Sequence, residues 1–209
     1  MFTNINKIFV LSMGNHLDSC REDVKKLKVL LKNKGDFVEI YDCNPQEEIL
    51  RFIKNKKFEY NDLVIIHYSG HGRFVGRQIN GKMEMISTWL HANEKTHSYS
   101  NDIDFILSSL NCRILLISDS CHSGKFGDFF TGKNPYIFIG SSSITNQSTE
   151  YLFKNNEKKT GALVNLFEYI LIKIPRIDKL NLLLLQTHVK KFYEENKIKI
   201  KPVIKGKNI

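Results

Sequence analysis

A thiol and an imidazole stand at matching places in two stretches of the same design. Ile114–Gly124 reads ILLISDSCHSG: an apolar run from Ile114 to Ile117, then Ser118-Asp119-Ser120, then Cys121. Fifty residues earlier, Leu63–Gly72 reads LVIIHYSGHG, an apolar run that ends in small residues and His71. Each run reads as a buried strand. As parallel neighbours, the two would bring Cys121 and His71 together at the carboxyl edge of one sheet, where open α/β sheets build their sites. The pair then reads as nucleophile and base. A cysteine attacks an acyl carbon as its thiolate, so it needs a base and donors for the developing oxyanion. Histidine titrates near the working pH and suits the first task. Gly72 and Gly124 leave backbone N–H groups unshielded, and the amides of Gly72 and Cys121 are the candidates for the oxyanion hole. A single Cys or His at a strand end is usually structural. Their combination, at two apolar strands with glycine neighbours, is what points to a site.

The flanking sequence supplies elements that can hold these two ends. Lys7–Met13 reads as a first, central strand. Asp18 or Ser19 can cap a helix reaching about Lys34, with Val24, Leu27, Leu30 and Leu31 on its apolar face and Gly35 as its stop. Phe37–Cys43 alternates as a second strand. Asn44-Pro45 opens the next helix, with Ile49, Phe52 and Ile53 facing inward. Asp62–Ser69 is the third strand. Asn80-Gly81 marks a hairpin within Arg73–Leu90, an excursion beside the active edge. Ser100–Leu110 reads as a short helix, and Arg113–Ile117 is the strand that delivers Cys121. Pro135–Gly140 follows as a fifth strand, then a polar loop over Ser141–Thr149. Thr160 can cap a helix through Lys173, and Asp178 one through about Asn196. Lys199–Ile204 alternates around Pro202 as an edge strand would. The β-α-β-α-β opening with short links implies a mostly parallel sheet covered by helices on both faces. No interdomain linker or repeat interrupts residues 1–209, which read as one domain.

The totals narrow the class. A hydrophobic content of 42% and a charged content of 25% describe an ordinary globular protein. The net charge of +9 comes from lysines spread along the chain, not from one basic block, so they read as solvated surface. A nucleic-acid binder would show steep salt dependence, and no motif supports one. The four cysteines, Cys20, Cys43, Cys112 and Cys121, form no CxxC pair, and Cys43 and Cys112 end apolar runs as small core residues do. A reduced, cytoplasmic protein is expected, with no membrane partner, since no apolar run reaches transmembrane length. His67 falls mid-strand as a core histidine. His122 is expected to point away from the site along an extended chain. His91 and His97 lack partners at metal-ligand spacing.

Ser69-Gly70-His71-Gly72 and Asp119-Ser120-Cys121-His122-Ser123-Gly124 resemble the SGHG and D-x-C-H-S-G motifs of metacaspases, within the caspase-like cysteine peptidases. The QACxG pentapeptide of animal caspases is absent. Three weaker likenesses extend the resemblance over nearly the whole chain. Cys20-Arg21-Glu22-Asp23 resembles an early C-x-x-D element. Ile139–Glu150 resembles the strand and loop after the cysteine. Gly161-Ala162-Leu163-Val164 resembles a G-x-F-T helix start, with Leu163 and Val164 in place of the usual pair.

This resemblance implies a caspase-like three-layer α/β/α sandwich with a six-stranded, mostly parallel sheet. Residues 1–134 would correspond to a large subunit and 135–209 to a small one. It implies a cysteine endopeptidase of programmed cell death that cuts after Arg or Lys, with Asp23, Ser69 and Asp119 lining the specificity pocket. Two carboxylates in a cleft suit a guanidinium or ammonium and repel an acidic side chain. On position alone, Asp23 would be a first-turn helix acid. Many metacaspases hold calcium with clustered Asp residues. Here Arg73–Asn101 offers only Glu84 and Glu94 among several cations, and Asp128 alone cannot serve, so activity without calcium or any other cofactor is expected, with calcium as the alternative. The short Ser123–Asn134 link and the lack of a prodomain predict a single chain active without cleavage, and a monomer is expected rather than a dimer. Lys125, Lys133 and the Lys154–Lys159 loop are the candidates for any self-cutting. The competing expectation is a catalytically silent caspase-fold scaffold.

Overall fold

The structure, a computed structural model, describes residues 4–143, 145–148, 159–174, 176–177 and 181–207. A central sheet takes its six strands from β1 (Ile8–Gly14), β2 (Asp36–Tyr41), β3 (Leu63–Ser69), β7 (Arg113–Asp119), β8 (Tyr136–Gly140) and β9 (Val203–Lys207). Their order is β2-β1-β3-β7-β8-β9. All neighbours are parallel except β8 and β9, which pair antiparallel. β4 (Gly72–Ile79), β5 (Lys82–Leu90) and β6 (His97–Tyr99) form a separate antiparallel sheet of three strands. Helices α1 (Asp18–Leu31), α4 (Ala162–Lys173) and α5 (Leu182–Glu195) cover one face of the central sheet, and α2 (Pro45–Lys54) and α3 (Ser100–Ser108) the other.

Strand alternation decides which side chain meets which layer. On β3, Leu63 and Ile65 enter the core shared with α1, α4 and α5, whereas Val64, Ile66 and Tyr68 enter the core shared with α2 and α3. β7 repeats the pattern, with Leu115 and Ile117 on the first side and Ile114 and Leu116 on the second. Both strands are buried along their full length, so each must be apolar on both faces, which is why the sequence shows continuous runs. The same parity puts Ser69 and Asp119 on the α1/α4 side.

Several boundaries differ from the sequence reading. Asp18 is the first residue of α1, and the cap position is Leu17, which makes no side-chain bond. Thr160 does not cap α4: Gly161 holds that position, and the Thr160 hydroxyl accepts from Asn165 Nδ2 at 2.7 Å. Asp178 lies outside the described residues, and Asn181 caps α5 by accepting from Leu184 N at 2.9 Å. The edge strand starts after Pro202, whose missing N–H keeps it out of the ladder. Asn44 caps α2 with Pro45 behind it, as the sequence indicates. Asn80 and Gly81 have φ of 49° and 79°, the pair of positive values a tight hairpin turn requires.

Trp89 fixes the small sheet to the large one. It is fully buried, stacks on Tyr68 at 4.7 Å and on Phe126 at 4.5 Å, and donates its Nε1–H to Ser118 Oγ at 2.8 Å. It thereby ties β5 to the last turns of β3 and β7. Truncation would open a cavity under both strand ends. Trp89→Ala is expected to cost about 3–5 kcal/mol, read as a lower urea midpoint; a loss under about 1 kcal/mol would contradict this anchoring role.

Candidate active site

β3 and β7 run side by side with Ser69 opposite Asp119, and Gly70 N donates to Asp119 O at 3.2 Å. His71 and Cys121 each follow two residues later. A cavity of about 310 Å³ opens at this edge, and Asp23, Ser69, His71, Asp119 and Cys121 all line it. Gly70, Cys20, Ser148 and Gly161 complete much of the wall. A larger hollow of about 880 Å³ between α5 and the approach to β9 contains none of these residues.

The loop carrying Cys121 is held tightly. His122 has φ 55°, so the chain turns sharply there instead of continuing extended as the sequence suggested. Its ring meets Phe74 at 5.0 Å, its N–H donates to Asn146 O at 3.0 Å, and its carbonyl accepts from Ser87 Oγ. Ser141 and Ser142 hydroxyls both donate to Ser120 O at 3.1 Å. Lys205 and Lys207 of β9 reach across to donate to Phe126 O at 3.1 Å and Phe130 O at 2.7 Å. Asp104 is buried and accepts from Gly127 N and Phe129 N; burial pushes its carboxyl up to about 7. Gly72 packs directly against the Cys121 loop: a Cβ there would lie 2.2 Å from Cys121 O. Leu90 N donates to His71 O, so the alternation of an antiparallel ladder turns the Gly72 N–H away from β5. Cys121 Sγ accepts from Ser148 N at 3.2 Å. Burial pushes the thiol above its ordinary value, and the Ser148 N–H works against that shift.

Beside the thiol, two buried carboxylates meet at one glycine. Asp23 Oδ2 accepts from Ser69 Oγ at 2.6 Å, and Asp23 Oδ1 from Gly161 N at 2.9 Å. Asp119 Oδ2 accepts from Leu163 N at 2.9 Å and Oδ1 from Ser148 Oγ at 3.3 Å. The amides of Gly161 and Leu163 belong to the first turn of α4, whose unpaired N–H groups and dipole favour an anion. The carboxylates therefore also finish a helix that has no side-chain cap. Burial pushes the Asp119 carboxyl up, while the Leu163 amide and the Ser141 and Ser148 hydroxyls oppose the shift.

His71 Nε2 lies 3.5 Å from Glu94 Oε1, and His16 Nε2 lies 3.5 Å from the same oxygen. Three other histidines have framework positions. His67 is fully buried, with Nδ1 2.8 Å from Ser12 Oγ, and burial lowers it to about 3. His91 spends both nitrogens on Ser98 and Thr96. His97 Nδ1 lies 3.4 Å from Thr88 Oγ1. Sequence reasoning missed Ser148 and Gly161 as residues of the cavity wall, and Glu94 and His16 as neighbours of His71. Ser148 and Gly161 fall in stretches already noted for their likeness, but only the fold reveals their contacts; Glu94 and His16 carry no local signal.

The caspase-domain family profile matches residues 3–200, so the chain belongs to the caspase-domain family of cysteine peptidases. No curated protein matches its sequence. The crystal structure of caspase-1 from Spodoptera frugiperda superposes with a TM-score of 0.63 at 13% identity, covering 97% of this chain and 87% of that one. A structure of pro-sf-caspase-1 gives 0.56 at 13% identity, over 95% and 89% of the two chains. The shared fold is the three-layer sandwich with its mostly parallel sheet. No helix among the described residues is long and apolar enough to cross a membrane.

Gly161 offers a test of the cavity wall. A Cβ there would lie 2.0 Å from Asp119 Oδ2 and 2.8 Å from Asp23 Oδ2. Gly161→Ala must displace a carboxylate, and is expected to lower turnover at least about tenfold while circular dichroism stays native. Wild-type kinetics in this variant would show that the two acids do not converge here.

Proposed function

We propose that the chain is a metacaspase-like cysteine endopeptidase that cleaves after Arg or Lys. The observation that carries this reading is the convergence of a thiol, an imidazole and two buried carboxylates on one small cavity. In this scheme the basic side chain of the substrate enters toward Asp23, Asp119 and Ser69, exchanging water for charge-assisted hydrogen bonds. That contact sets the following carbonyl over Cys121. Because burial keeps the resting thiol protonated, the proton passes to His71 as Sγ attacks, rather than being lost beforehand. The Gly72 and Cys121 amides stabilise the oxyanion. His71 then protonates the leaving amine, and water hydrolyses the thioester. Ser148, which donates to the resting thiol and to Asp119, has to yield both contacts as substrate arrives.

Calcium independence belongs to the same proposal. Two of the nearby acids are already spent on cations: Asp102 on Arg77 at 2.9 Å, and Asp128 on Lys125 at 3.2 Å and on Lys205. Hard cations need several free oxygen ligands.

The direct assay compares fluorogenic peptides ending in Arg, Lys or Asp, with and without calcium, using Cys121→Ala as control. Cys121-dependent turnover of the Arg and Lys peptides, unchanged by calcium, is expected. Turnover of the Asp peptide alone would sink the pocket assignment, and no Cys121-dependent turnover would favour the silent scaffold. Acidification supplies a second check. Asp119 takes up its proton above the ordinary carboxylate range because it is buried, and the neutral form no longer attracts a cation. KM for the Arg peptide should therefore rise as pH falls, beginning above that range. In Asp119→Asn the rise should shrink, and kcat/KM at neutral pH should drop about ten- to a hundredfold, the worth of a hydrogen bond to a charged group.

A further inference from the structure

His16, His71 and Glu94 come from three separate segments: the loop after β1, the end of β3 and the β5–β6 turn. Their ligand atoms all lie within 4.8 Å of one another. The geometry points to a binding site for a zinc ion, held by the Nε2 atoms of His16 and His71 and by Glu94 Oε1, which takes the base of the dyad out of action.

Three features carry this. First, the two nitrogen–oxygen spacings suit coordination better than hydrogen bonding. Each Nε2 stands 3.5 Å from the carboxylate oxygen, beyond the usual N–H···O range of about 2.7–3.2 Å. Tetrahedral zinc with bonds of about 2.0–2.1 Å sets its ligand atoms about 3.3–3.5 Å apart. Second, the His16 tautomer is fixed. Asn15 Oδ1 accepts from the His16 backbone N–H at 2.7 Å, which identifies it as the oxygen of the amide. It also lies 2.8 Å from His16 Nδ1, so Nδ1 carries the proton and Nε2 presents a lone pair. Asn15 is itself buried, with its N–H donating to Ser69 O at 2.9 Å, so this support is rigid.

Third, Glu94 is held in place by its turn. Its φ is 55°, an unfavourable value for a residue with a side chain, and Glu94 N donates to His91 O at 2.9 Å. Asn93 Oδ1 braces the turn by accepting from Lys95 N at 2.9 Å and Thr96 N at 3.1 Å. Two imidazoles and one carboxylate are a zinc-type donor set, with a fourth position open to water, and are the wrong set for calcium. All three side chains are nearly half exposed, so an ion can enter directly from solvent.

The consequence rests on the reading of His71 as the base. An imidazole bound to zinc through Nε2 carries its proton on Nδ1 and has no lone pair left for the thiol proton. Free zinc would thus act as a reversible brake on peptide cleavage.

Binding is measured on Cys121→Ala, which keeps the three ligands and removes the thiol, by calorimetry with Zn2+ and by the visible absorption of Co2+ as a tetrahedral substitute. One ion per chain is expected, with His16→Ala and Glu94→Gln in that background each weakening affinity at least tenfold. Loss of binding in Cys121→Ala itself, or unchanged affinity in His16→Ala, would overturn the site. In the activity arm, Zn2+ should inhibit wild-type turnover, with recovery on chelation. His16→Ala, with basal turnover retained, should need at least tenfold more Zn2+. Equal sensitivity of the two would overturn the brake. A chain with no turnover at all would sink the peptidase reading, while the calorimetric arm would still decide the metal site.

Discussion

The parallel pairing of β3 with β7 is the constraint on which the rest depends. Its register, Ser69 opposite Asp119, fixes where the thiol and imidazole emerge and which layer each polar side chain meets. A slip of one residue would turn Ser69 and Asp119 toward Trp89 and away from Asp23. The apolar runs Leu63–Ile66 and Ile114–Ile117 make that slip costly, because alternate residues are fitted to two different cores. The site therefore draws its geometry from buried hydrocarbon beneath it.

What the pairing delivers is an electrostatic cavity. Burying a carboxylate costs several kcal/mol unless it is compensated. The first turn of α4 and the serine hydroxyls compensate Asp23 and Asp119 in part. Gly161 lets both carboxylates approach α4 closely, as no other residue would. On the proposed reading, a guanidinium or ammonium entering the cavity would offset what remains of the cost, and the fold's own arrangement of acids would select the substrate. Asp104, Trp89 and the β9 lysines serve the other half of the design by holding the loop that carries Cys121. The Cys121 loop is thus fixed by elements from both ends of the chain.

The sheet and the two strand ends were legible because a fully buried parallel strand writes itself as an unbroken apolar run, and because the motifs following each run are distinctive. The Asn44-Pro45 opening and the Asn80-Gly81 turn were legible for local reasons of capping and positive φ. The start of α4 was not. Thr160 has the chemistry of a cap, but the carboxylates that satisfy the first amides come from Asp23 and Asp119, both distant in sequence. β6 escaped because three residues carry too little pattern. Ser148, Glu94 and His16 escaped because their meaning lies only in the partners that tertiary structure brings to them. His122 was misjudged because a left-handed residue after Cys121 cannot be read from an extended-strand pattern.

The central claim is that charge, rather than shape, selects the substrate residue. Peptides that carry either arginine or its neutral isostere citrulline before the scissile bond test it most directly. The account predicts that kcat/KM falls about ten- to a hundredfold for citrulline, matching the loss of a charge-assisted hydrogen bond. Equal turnover of the two peptides would contradict it.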